Sequence, residues 1–383
     1  MPRRLVVVAV VGAAILAAHA GALAGPAPQV EARSVLVGNG AAGTILYADR
    51  QARTSAIASI TKIMTALVVL ERTHPDDVVT VGGPAPTIGE SSLGLRAGEK
   101  LTVRELMTAM LVYSANDAAY ALAYHVGDGS VKRFVSLMNA EATELGLTDT
   151  HFVRPDGLDA ASHYSSARDV FRLARIAMHK PLFRELVRIR RATVDGHRIQ
   201  NRNDLLFSYT GTIGVKTGHT SEAGWSEVAA ARRSGVTIYA VLLGGSSRDQ
   251  RNADLARLLD WGFDQYRRVA IVRPGRTYAE ALVPFSDRRL ALVAEEQVVA
   301  VAQVGHPLVE RVVAPAMVDP PVEKGDELGE IRIFDGKKLI ATRPLVAAES
   351  VGAPSLGRRL RWYAGRALGH AGNAFGSLFG LIG

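Results

Sequence analysis

Ser59 and Lys62 are the two residues of this sequence whose types and spacing most directly suggest chemistry. They lie in a run from Ala58 to Glu71 whose apolar residues recur at helical spacing, so their side chains are expected on one helix face, one turn apart. A lysine that burial keeps partly neutral can take the proton of a serine hydroxyl and turn the serine into a nucleophile. Backbone N–H groups at the helix start would then be able to receive an oxyanion.

Two further short motifs follow along the chain. Ser114 and Asn116 lie on a break between two apolar helical patterns, a place where side chains can point into a cleft. A Lys-Thr-Gly run occupies 216–218 in a strand-like segment. Each motif alone is weak evidence for a catalytic site. A serine and a lysine at this spacing are usually an accidental surface pair, and Lys-Thr-Gly is usually a turn. All three in this order, each in its required context, are far less expected by chance.

The elements that must position these motifs form an α+β pattern. The predicted strands are short apolar runs bounded by turn residues: 34–37, 44–48, 187–193, 197–201, 214–220, 224–231 and 236–244. The predicted helices have apolar residues at helical spacing: 58–71, 102–113, 117–126, 131–145, 166–179 and 254–266. Asp195-Gly196 predicts a hairpin, and the last two strands are expected to pair antiparallel. Helices around a mainly antiparallel sheet make an α+β domain, which we place at 30–267.

The chain outside this domain divides into three predicted segments. Residues 1–24 have two arginines, a short apolar run and small residues, which predicts a signal peptide cleaved after Ala20 or Ala24 and therefore export. An uncleaved anchor is the alternative, but the apolar run is short for a membrane span. Residues 268–351 contain short strand-like runs separated by Gly, Pro and Asp, which predicts a separate small β-rich domain without a chemical motif.

The C-terminal segment, 355–383, predicts a basic amphipathic helix. Its first half carries several arginines and Trp362, and its apolar residues fall on one stripe. This pattern is typical of a helix that lies in the plane of a membrane surface, although the glycines weaken helix formation in water. The alternative is a helix packed on its own protein. The arginines disfavour a membrane span.

The composition excludes several classes of site. There is no cysteine, so disulfides and thiolate metal sites are not available, and the ten histidines show no metal-ligand spacing. We therefore predict no metal and no cofactor. The net charge of +8 is diffuse up to the last 30 or so residues, so nucleic acid is not a predicted partner.

The three motifs together are those of penicillin-binding proteins and class A β-lactamases. The chain more specifically resembles the serine D-alanyl-D-alanine carboxypeptidases of peptidase family S11, the low-molecular-mass penicillin-binding proteins. Further matching runs carry this resemblance: 58–65, 114–119, 152–158, 201–206 and 216–220. One departure is 209–213, where many relatives have an acidic residue, and this leaves the fit of the substrate open. The resemblance implies a β-lactamase/DD-peptidase-like catalytic domain, a small β-domain and a membrane-surface helix.

The resemblance also implies roles for the motif residues. Ser59 would attack the carbonyl of the penultimate D-alanine of a peptidoglycan pentapeptide stem while Lys62 takes its proton, although the identity of the base in such enzymes is debated. Ser114 would relay a proton to the departing amine. Asn116 would hold the substrate backbone and the Lys62 side chain. β-Lactams would acylate the same serine.

Further residues would bind the substrate in this interpretation. Lys216 would raise the local positive potential and Thr217 would contact the terminal carboxylate, with Gly218 in the same strand. Backbone N–H groups of Ser59 and His219 would form the oxyanion hole. Alignment with the family places Arg251 where relatives bind the carboxylate, and a guanidinium suits that task. The equal alternative for Arg251 is a solvated arginine.

Two other functions compete with a carboxypeptidase. A class A β-lactamase shares the three motifs but should also have a Glu-x-x-Leu-Asn run, and no Glu in 117–215 is followed in this way. A non-catalytic penicillin-binding scaffold would have little reason to keep every motif residue. An endopeptidase on cross-links also stays possible. The expected location is the outer face of the bacterial cytoplasmic membrane, with peripheral attachment; the third residue of the stem peptide and the oligomeric state are left open.

Overall fold

The computed structural model describes residues 12–16, 25–286 and 288–364. These residues form two compact units. One unit is Ala24–Gln265, and the other is the chain from Tyr266 onward together with the N-terminal strand Gly12–Leu16.

The first unit contains a five-stranded antiparallel sheet. The strands stand in the order Ile45–Asp49, Ser34–Asn39, Val236–Gly245, Gly224–Arg233 and Thr212–Thr220. The strand carrying Lys-Thr-Gly is therefore an edge strand, and the predicted antiparallel pairing of the last two strands is confirmed. Two small ribbons accompany the sheet, Val78–Thr80 with Lys100–Thr102, and Arg191–Val194 with His197–Gln200.

Helices pack around this sheet, which confirms the α+β class. The sequence forms two short 3₁₀ turns, Ala58–Thr61 and Ala85–Thr87, and one π-helical turn, Ala109–Tyr113. The α-helices are Lys62–Leu70, Val103–Thr108, Asn116–Val126, Val131–Glu144, Ala167–Ala177, Pro181–Leu186, Leu205–Ser208 and Arg248–Asp264.

The helix Lys62–Leu70 lies at the centre of the unit. All of its residues from Lys62 to Val69 are buried. A helix that is enclosed by the rest of the protein needs apolar residues around most of its circumference, which explains why this run lacks a polar face. The helices Asn116–Val126, Val131–Glu144 and Ala167–Ala177 pack against it. A residue placed at the start of this helix is held by the core of the unit.

Two boundaries differ from the sequence prediction by more than three residues. The helix expected at 254–266 begins at Arg248 and ends at Asp264. Its start is set by Ser247, whose hydroxyl accepts a hydrogen bond from the backbone N–H of Gln250 at 3.1 Å, and the polar first turn hides this start from an apolar pattern. The strand expected at 187–193 begins only at Arg191, because Val187 closes the preceding helix.

The second unit is a small β-domain, as predicted. Its six-stranded sheet has the order Gly12–Leu16, Leu308–Val313, Glu327–Asp335, Lys338–Ala347, Arg289–Val293 and Thr277–Leu282. A separate ribbon pairs Tyr266–Val272 with Val298–Gln303. Alternating residues of these strands form its own apolar core, which includes Ile271, Leu292 and Ile331.

The two chain ends are described only in part. Residues 356–364 are helical, and the rest of the predicted amphipathic helix, 365–383, lies outside the described residues. The predicted signal peptide also lies outside them, except for the strand Gly12–Leu16. Among the residues that are described, no helix combines the length and the apolar character that crossing a membrane would require.

Candidate active site

Ser59 is presented by a strained turn. The residue before it, Ala58, has a positive φ of 47°, a conformation that residues other than glycine rarely adopt. Ser59 itself is half-buried, whereas Ala58, Ile60 and Thr61 around it are buried. The turn therefore lifts one hydroxyl toward solvent from a segment that is otherwise part of the core.

Lys62 is fully buried and its amine has three acceptors. Its Nζ donates to the Ser59 hydroxyl at 2.7 Å, to Oδ1 of Asn116 at 2.7 Å and to the backbone carbonyl of Asp156 at 2.8 Å. Burial lowers the pKa of Lys62 to about 8, and the charge of Asp156 opposes this shift. A fraction of the amine is thus neutral near pH 7, in direct contact with the serine hydroxyl.

Ser114 and Asn116 lie on the break between the π-helical turn Ala109–Tyr113 and the helix that begins at Asn116. Ser114 has a positive φ of 71°, which ends the π turn and directs the next residues into the new helix. Both side chains are buried. The amide of Asn116 contacts Lys62 through its oxygen and donates through Nδ2 to the carbonyl of Gly89 at 3.3 Å.

Lys216 completes the group from the edge strand. Its buried Nζ donates to the Ser114 hydroxyl at 3.0 Å and to the carbonyl of Thr217 at 3.0 Å. Burial lowers its pKa well below the usual range, and the charge of Lys62 lowers it further. Two serine hydroxyls therefore each contact one lysine, and the charge of Lys62 disfavours a charge on Lys216.

Gly218 brings the edge strand against the Ser59 turn. A Cβ built on Gly218 would stand 2.6 Å from the carbonyl oxygen of Ile57 and 3.2 Å from the backbone nitrogen of Ser59. Such contacts are too close for any other residue, so the glycine permits this approach. Next along the strand, His219 is exposed and its ring stacks on Trp225 with centroids 4.0 Å apart.

The loop around Asp156 is a part of the site to which the sequence assigned no role. The buried carboxylate of Asp156 receives hydrogen bonds from Arg154 at 2.6 and 3.1 Å, while its backbone carbonyl accepts from Lys62. A Cβ on Gly157 would stand 2.0 Å from the carbonyl oxygen of Ala58, so this glycine too is required by a close approach. The run 152–158 was visible as a matching motif, but nothing in it indicates a contact with Lys62.

His163 supports the same region from behind. Its Nδ1 accepts a hydrogen bond from the backbone N–H of Val153 at 3.0 Å, so its Nε2 carries the proton toward the Thr61 hydroxyl at 2.8 Å. Burial lowers the pKa of His163 to about 4. The neutral ring thereby links the Asp156 loop to the turn that presents Ser59.

Arg251 is buried in a cluster of charges and is not solvated, so the solvated alternative is wrong. Its Nε lies 3.1 Å from Glu227, and its side chain is only 2% exposed. It also donates to Asn252 at 2.7 Å and lies 3.4 Å from Asp204. In the sheet register Glu227 stands directly opposite Thr217 on the neighbouring strand, so this cluster lies beside the Lys-Thr-Gly strand, on the same face of the sheet as Thr217.

Glu227 is a second residue that the sequence did not single out. It is fully buried, and neither of its carboxylate oxygens receives a well-aligned hydrogen bond from the described residues, despite the short distance to Arg251. Burial raises its pKa, and the charge of Arg251 opposes the rise. Its charge in turn raises the pKa of Lys216, so the cluster and the lysine influence each other.

The arrangement is suited to covalent catalysis by a serine. The half-buried Ser59 hydroxyl contacts Lys62, which can accept its proton. A second pair of the same kind, Ser114 with Lys216, belongs to the same group of side chains. Within the part of the chain that the structure describes, no three His, Asp or Glu side chains are grouped so as to hold a metal ion.

Known proteins resemble this chain over both of its units. The family model described as D-alanyl-D-alanine carboxypeptidase matches residues 22–247, and the model of the penicillin-binding protein 5 C-terminal domain matches 266–353. The D-alanyl-D-alanine carboxypeptidase DacD of Salmonella typhimurium is 34% identical over 365 residues, covering 91% of this chain and 93% of the relative.

Solved structures show the same likeness. Penicillin-binding protein 5 of Haemophilus influenzae is 30% identical with a TM-score of 0.63, and the match covers 86% of this chain and 99% of that one. The Streptomyces K15 DD-transpeptidase is 35% identical with a TM-score of 0.60, covering 63% of this chain and 100% of its own.

Proposed function

This chain belongs to the D-alanyl-D-alanine carboxypeptidase family, and we propose that it removes the terminal D-alanine from peptidoglycan pentapeptide stems through an acyl-enzyme on Ser59. The observation that carries this proposal is the 2.7 Å contact between the Ser59 hydroxyl and a buried Lys62 amine with a lowered pKa. Penicillin-like β-lactams are expected to acylate the same hydroxyl.

Acylation begins with proton transfer from Ser59 to the neutral amine of Lys62. The Ser59 Oγ then forms a bond to the carbonyl carbon of the penultimate D-alanine, and the carbonyl oxygen becomes an oxyanion. The backbone N–H groups of Ser59 and His219 are proposed to receive this charge, and the close approach at Gly218 supports their pairing. Lys62, now protonated, keeps its hydrogen bonds to Asn116 and to the Asp156 carbonyl.

The intermediate collapses when the C–N bond to the last D-alanine breaks. Ser114 is proposed to donate its proton to the departing amine and to be reprotonated from Lys216, which contacts its hydroxyl. Lys62 then loses its proton to solvent and Lys216 regains one from solvent, so that the Lys62 amine is neutral again. Water attacks the ester carbonyl, Lys62 accepts a proton from that water, and the same proton passes to the Ser59 Oγ as the acyl–oxygen bond breaks. The products are free D-alanine and a stem that is one residue shorter.

Substrate recognition is proposed to rest on the terminal carboxylate. Thr217 supplies a hydroxyl on the edge strand, and Lys216 would supply positive charge in its protonated form. Arg251 is proposed to act as a positioning residue beside Thr217, because its buried ion pair with Glu227 holds the guanidinium in place.

The test is labelling with a fluorescent penicillin followed by mass spectrometry of the adduct. We expect the label on Ser59, its complete loss in Ser59→Ala, and strong reduction in Lys62→Ala. Ser55→Ala is the matched control, because Ser55 lies four residues earlier and its hydroxyl has no hydrogen-bond partner among the described residues. An adduct on another residue, or no adduct on folded protein, would refute the assignment.

Release of D-alanine separates the competing activities. A carboxypeptidase should release D-alanine from a pentapeptide and turn over nitrocefin slowly, whereas a β-lactamase would turn over nitrocefin rapidly and a scaffold would do neither. The name of the Streptomyces relative gives a reason to add an amine acceptor such as glycine to the assay. Formation of a peptide bond to that amine would show transpeptidation alongside hydrolysis.

We also propose that the protein is exported and attached peripherally to the outer face of the cytoplasmic membrane. The described part of the C-terminal helix supports this, since Leu356, Leu360 and Tyr363 are well exposed beside exposed arginines. Flotation with anionic liposomes tests it. Binding should be lost when the chain is ended at residue 355 and kept in Ser59→Ala.

A further inference from the structure

Five arginines between Arg188 and Arg202 form an unpaired basic surface beside the catalytic group. We call it the arginine hairpin, because its members lie on and around the ribbon Arg191–Val194 with His197–Gln200: Arg188, Arg190, Arg191, Arg198 and Arg202. All five are exposed, and none forms an ion pair with an acidic side chain within the described part of the chain. The only acidic residue from 187 to 203 is Asp195, at the tip of the turn.

The arginine hairpin is held rigidly against the turn that carries Ser114. Both of its strands pack on the π-helical turn Ala109–Tyr113. Arg202 fixes this contact, because its backbone N–H donates to Val112 at 3.1 Å and its guanidinium lies over the Tyr113 ring at 4.4 Å. The buried Asn201 and Asn203 close the base of the ribbon through hydrogen bonds to backbone groups. Tyr113 is the residue immediately before Ser114 in the sequence.

The guanidinium groups are arranged for binding rather than for local pairing. Arg190 and Arg191 lie over the exposed ring of Phe207 at 5.7 and 5.8 Å, which supports their planes and leaves N–H groups at their edges. Arg191 also donates to Gln200 at 3.2 Å. Elsewhere in this unit several exposed arginines pair with acids, as Arg168 does with Asp149 at 2.7 Å. Clustered arginines without acids raise the free energy of the protein unless an anion neutralises them.

We propose that the arginine hairpin is a docking surface for carboxylates of the peptide stem that lie outside the scissile D-alanyl-D-alanine unit. This inference rests on the proposed function and adds a preference for acidic stems to it. Guanidinium groups bind carboxylates through two parallel hydrogen bonds, which suits free carboxyl groups along a peptide and does not suit their amides. A position next to the Ser114 turn favours a chain that already occupies the active site over a separate partner.

The test compares two pentapeptides in steady-state release of D-alanine. One ends in D-alanyl-D-alanine and has free side carboxylates at its second and third residues, and the other has both carboxylates amidated. The variant is the double substitution Arg191→Gln with Arg198→Gln. The matched control is Lys132→Gln with Arg172→Gln, which removes the same charge from two exposed residues that also lack ion pairs among the described residues.

We expect KM of the variant for the acidic peptide to rise about fivefold to tenfold with little change in kcat, the size that losing one or two exposed charge-assisted contacts produces. KM for the amidated peptide and the rate of penicillin acylation should be unchanged. The control should behave as the wild type. KM of the wild type for the acidic peptide should also rise with salt, since exposed charges are screened.

Three outcomes would overturn the proposal. Wild-type KM values that do not distinguish the two peptides would do so, as would equal losses for both peptides in the variant. Loss of binding to anionic vesicles without any change in KM would assign the surface to the membrane instead. If the wild type released no D-alanine while penicillin still labelled Ser59, the proposed function would fail separately, and fluorescence anisotropy with the two peptides would then test docking directly.

Discussion

The two units of the molecule use buried polar groups very differently. Among the described residues, every buried polar or charged side chain except Glu310 belongs to the unit Ala24–Gln265. The β-domain instead buries apolar residues on alternating strand positions and leaves its charges exposed. Burying polar groups is costly unless they are paired. The first unit carries that cost around Lys62 and Lys216, where lowered pKa values are what covalent catalysis requires.

Backbone strain shows a similar contrast. Ala58 and Ser114, two residues with a positive φ in the first unit, adjoin or form part of the catalytic group. In the β-domain most residues with a positive φ are glycines in turns, where the conformation has little cost. Strain and buried charge therefore occur together where Ser59 is presented. The predictions that follow compare matched sites in the two units.

Removing Arg251 is expected to have the largest effect. Arg251→Ala leaves the buried Glu227 without its cation, which should lower the free energy of unfolding by about 3–5 kcal/mol. The matched pair in the β-domain is Arg276 with Glu310, at 3.4 Å, where the arginine is 46% exposed. Arg276→Ala should have a smaller effect, about 1–2 kcal/mol, because water screens the half-exposed Arg276 even though Glu310 itself is buried. Urea unfolding followed by tryptophan fluorescence measures the loss of stability in the first unit. Hydrogen exchange measures the loss of stability in each unit separately.

A double variant separates the stability of the first unit from carboxylate recognition. Glu227→Leu with Arg251→Leu should recover much of the lost stability, since no buried charge stays uncompensated. If that variant hydrolyses peptide poorly but is acylated by penicillin at a nearly normal rate, the predicted contribution of Arg251 to the carboxylate is supported. Equal losses in the two reactions would contradict it.

The neutral His163 should make the first unit sensitive to acid. Its pKa of about 4 in the folded protein lies below the ordinary value of 6.5, so the unfolded chain binds its proton first as the pH falls. The stability that depends on the neutral ring is complete above pH 6.5 and is lost toward pH 4, by about 3 kcal/mol. The free energy of unfolding should be higher for the wild type than for His163→Gln at pH 7. This difference between the two proteins should narrow as the pH is lowered to 4. The exposed His306 of the β-domain is the control, and His306→Gln should follow the wild type.

Gly218→Ala should reduce acylation with a smaller effect on folding. The added methyl group forces the edge strand away from Ile57 and the Ser59 turn, and a displacement of about 1 Å at reacting groups reduces rates about a hundredfold. The control is Gly352→Ala in the β-domain, where an added Cβ meets nothing within 4 Å. Stopped-flow acylation by a fluorescent penicillin measures the rate. A rate in Gly218→Ala like that of the control would mean that the close approach is not required.

The sequence predicts the local parts of this site better than its long-range contacts. The three-residue spacing of Ser59 and Lys62 predicted their contact, and the capping box at Thr102 and Glu105, with hydrogen bonds of 3.2 and 2.7 Å, begins the helix that leads to Ser114. These are interactions between near neighbours in the chain.

What the sequence did not reveal depends on residues that are far apart. The Asp156 carbonyl that holds Lys62 is 94 positions away, and any residue type supplies a carbonyl, so no residue identity marks this contact. Glu227 follows Ser226 and precedes a continuous run of small apolar residues in its strand, and only the register opposite Thr217 shows where its charge lies. The start of the helix Arg248–Asp264 had a local signal, the Ser-x-x-Gln cap that begins at Ser247. The first turn of this helix is polar, however, and therefore lacks the apolar pattern that predicts a helix.

The smallest predicted effect concerns the pH dependence of acylation, and it tests the electrostatic origin of the lowered pKa of Lys62. The charge of Asp156 raises that pKa and the charge of Arg154 lowers it. The acylation rate should rise with pH as Lys62 loses its proton, through about pH 8. Asp156→Asn should move this rise to lower pH and Arg154→Gln should move it to higher pH, each by about one unit or less. Both substitutions break the same ion pair, so a purely structural loss would lower the rate in both without opposite shifts. Penicillin acylation measured from pH 6 to 10 distinguishes the two, and shifts in the same direction would show that Lys62 does not respond to these charges.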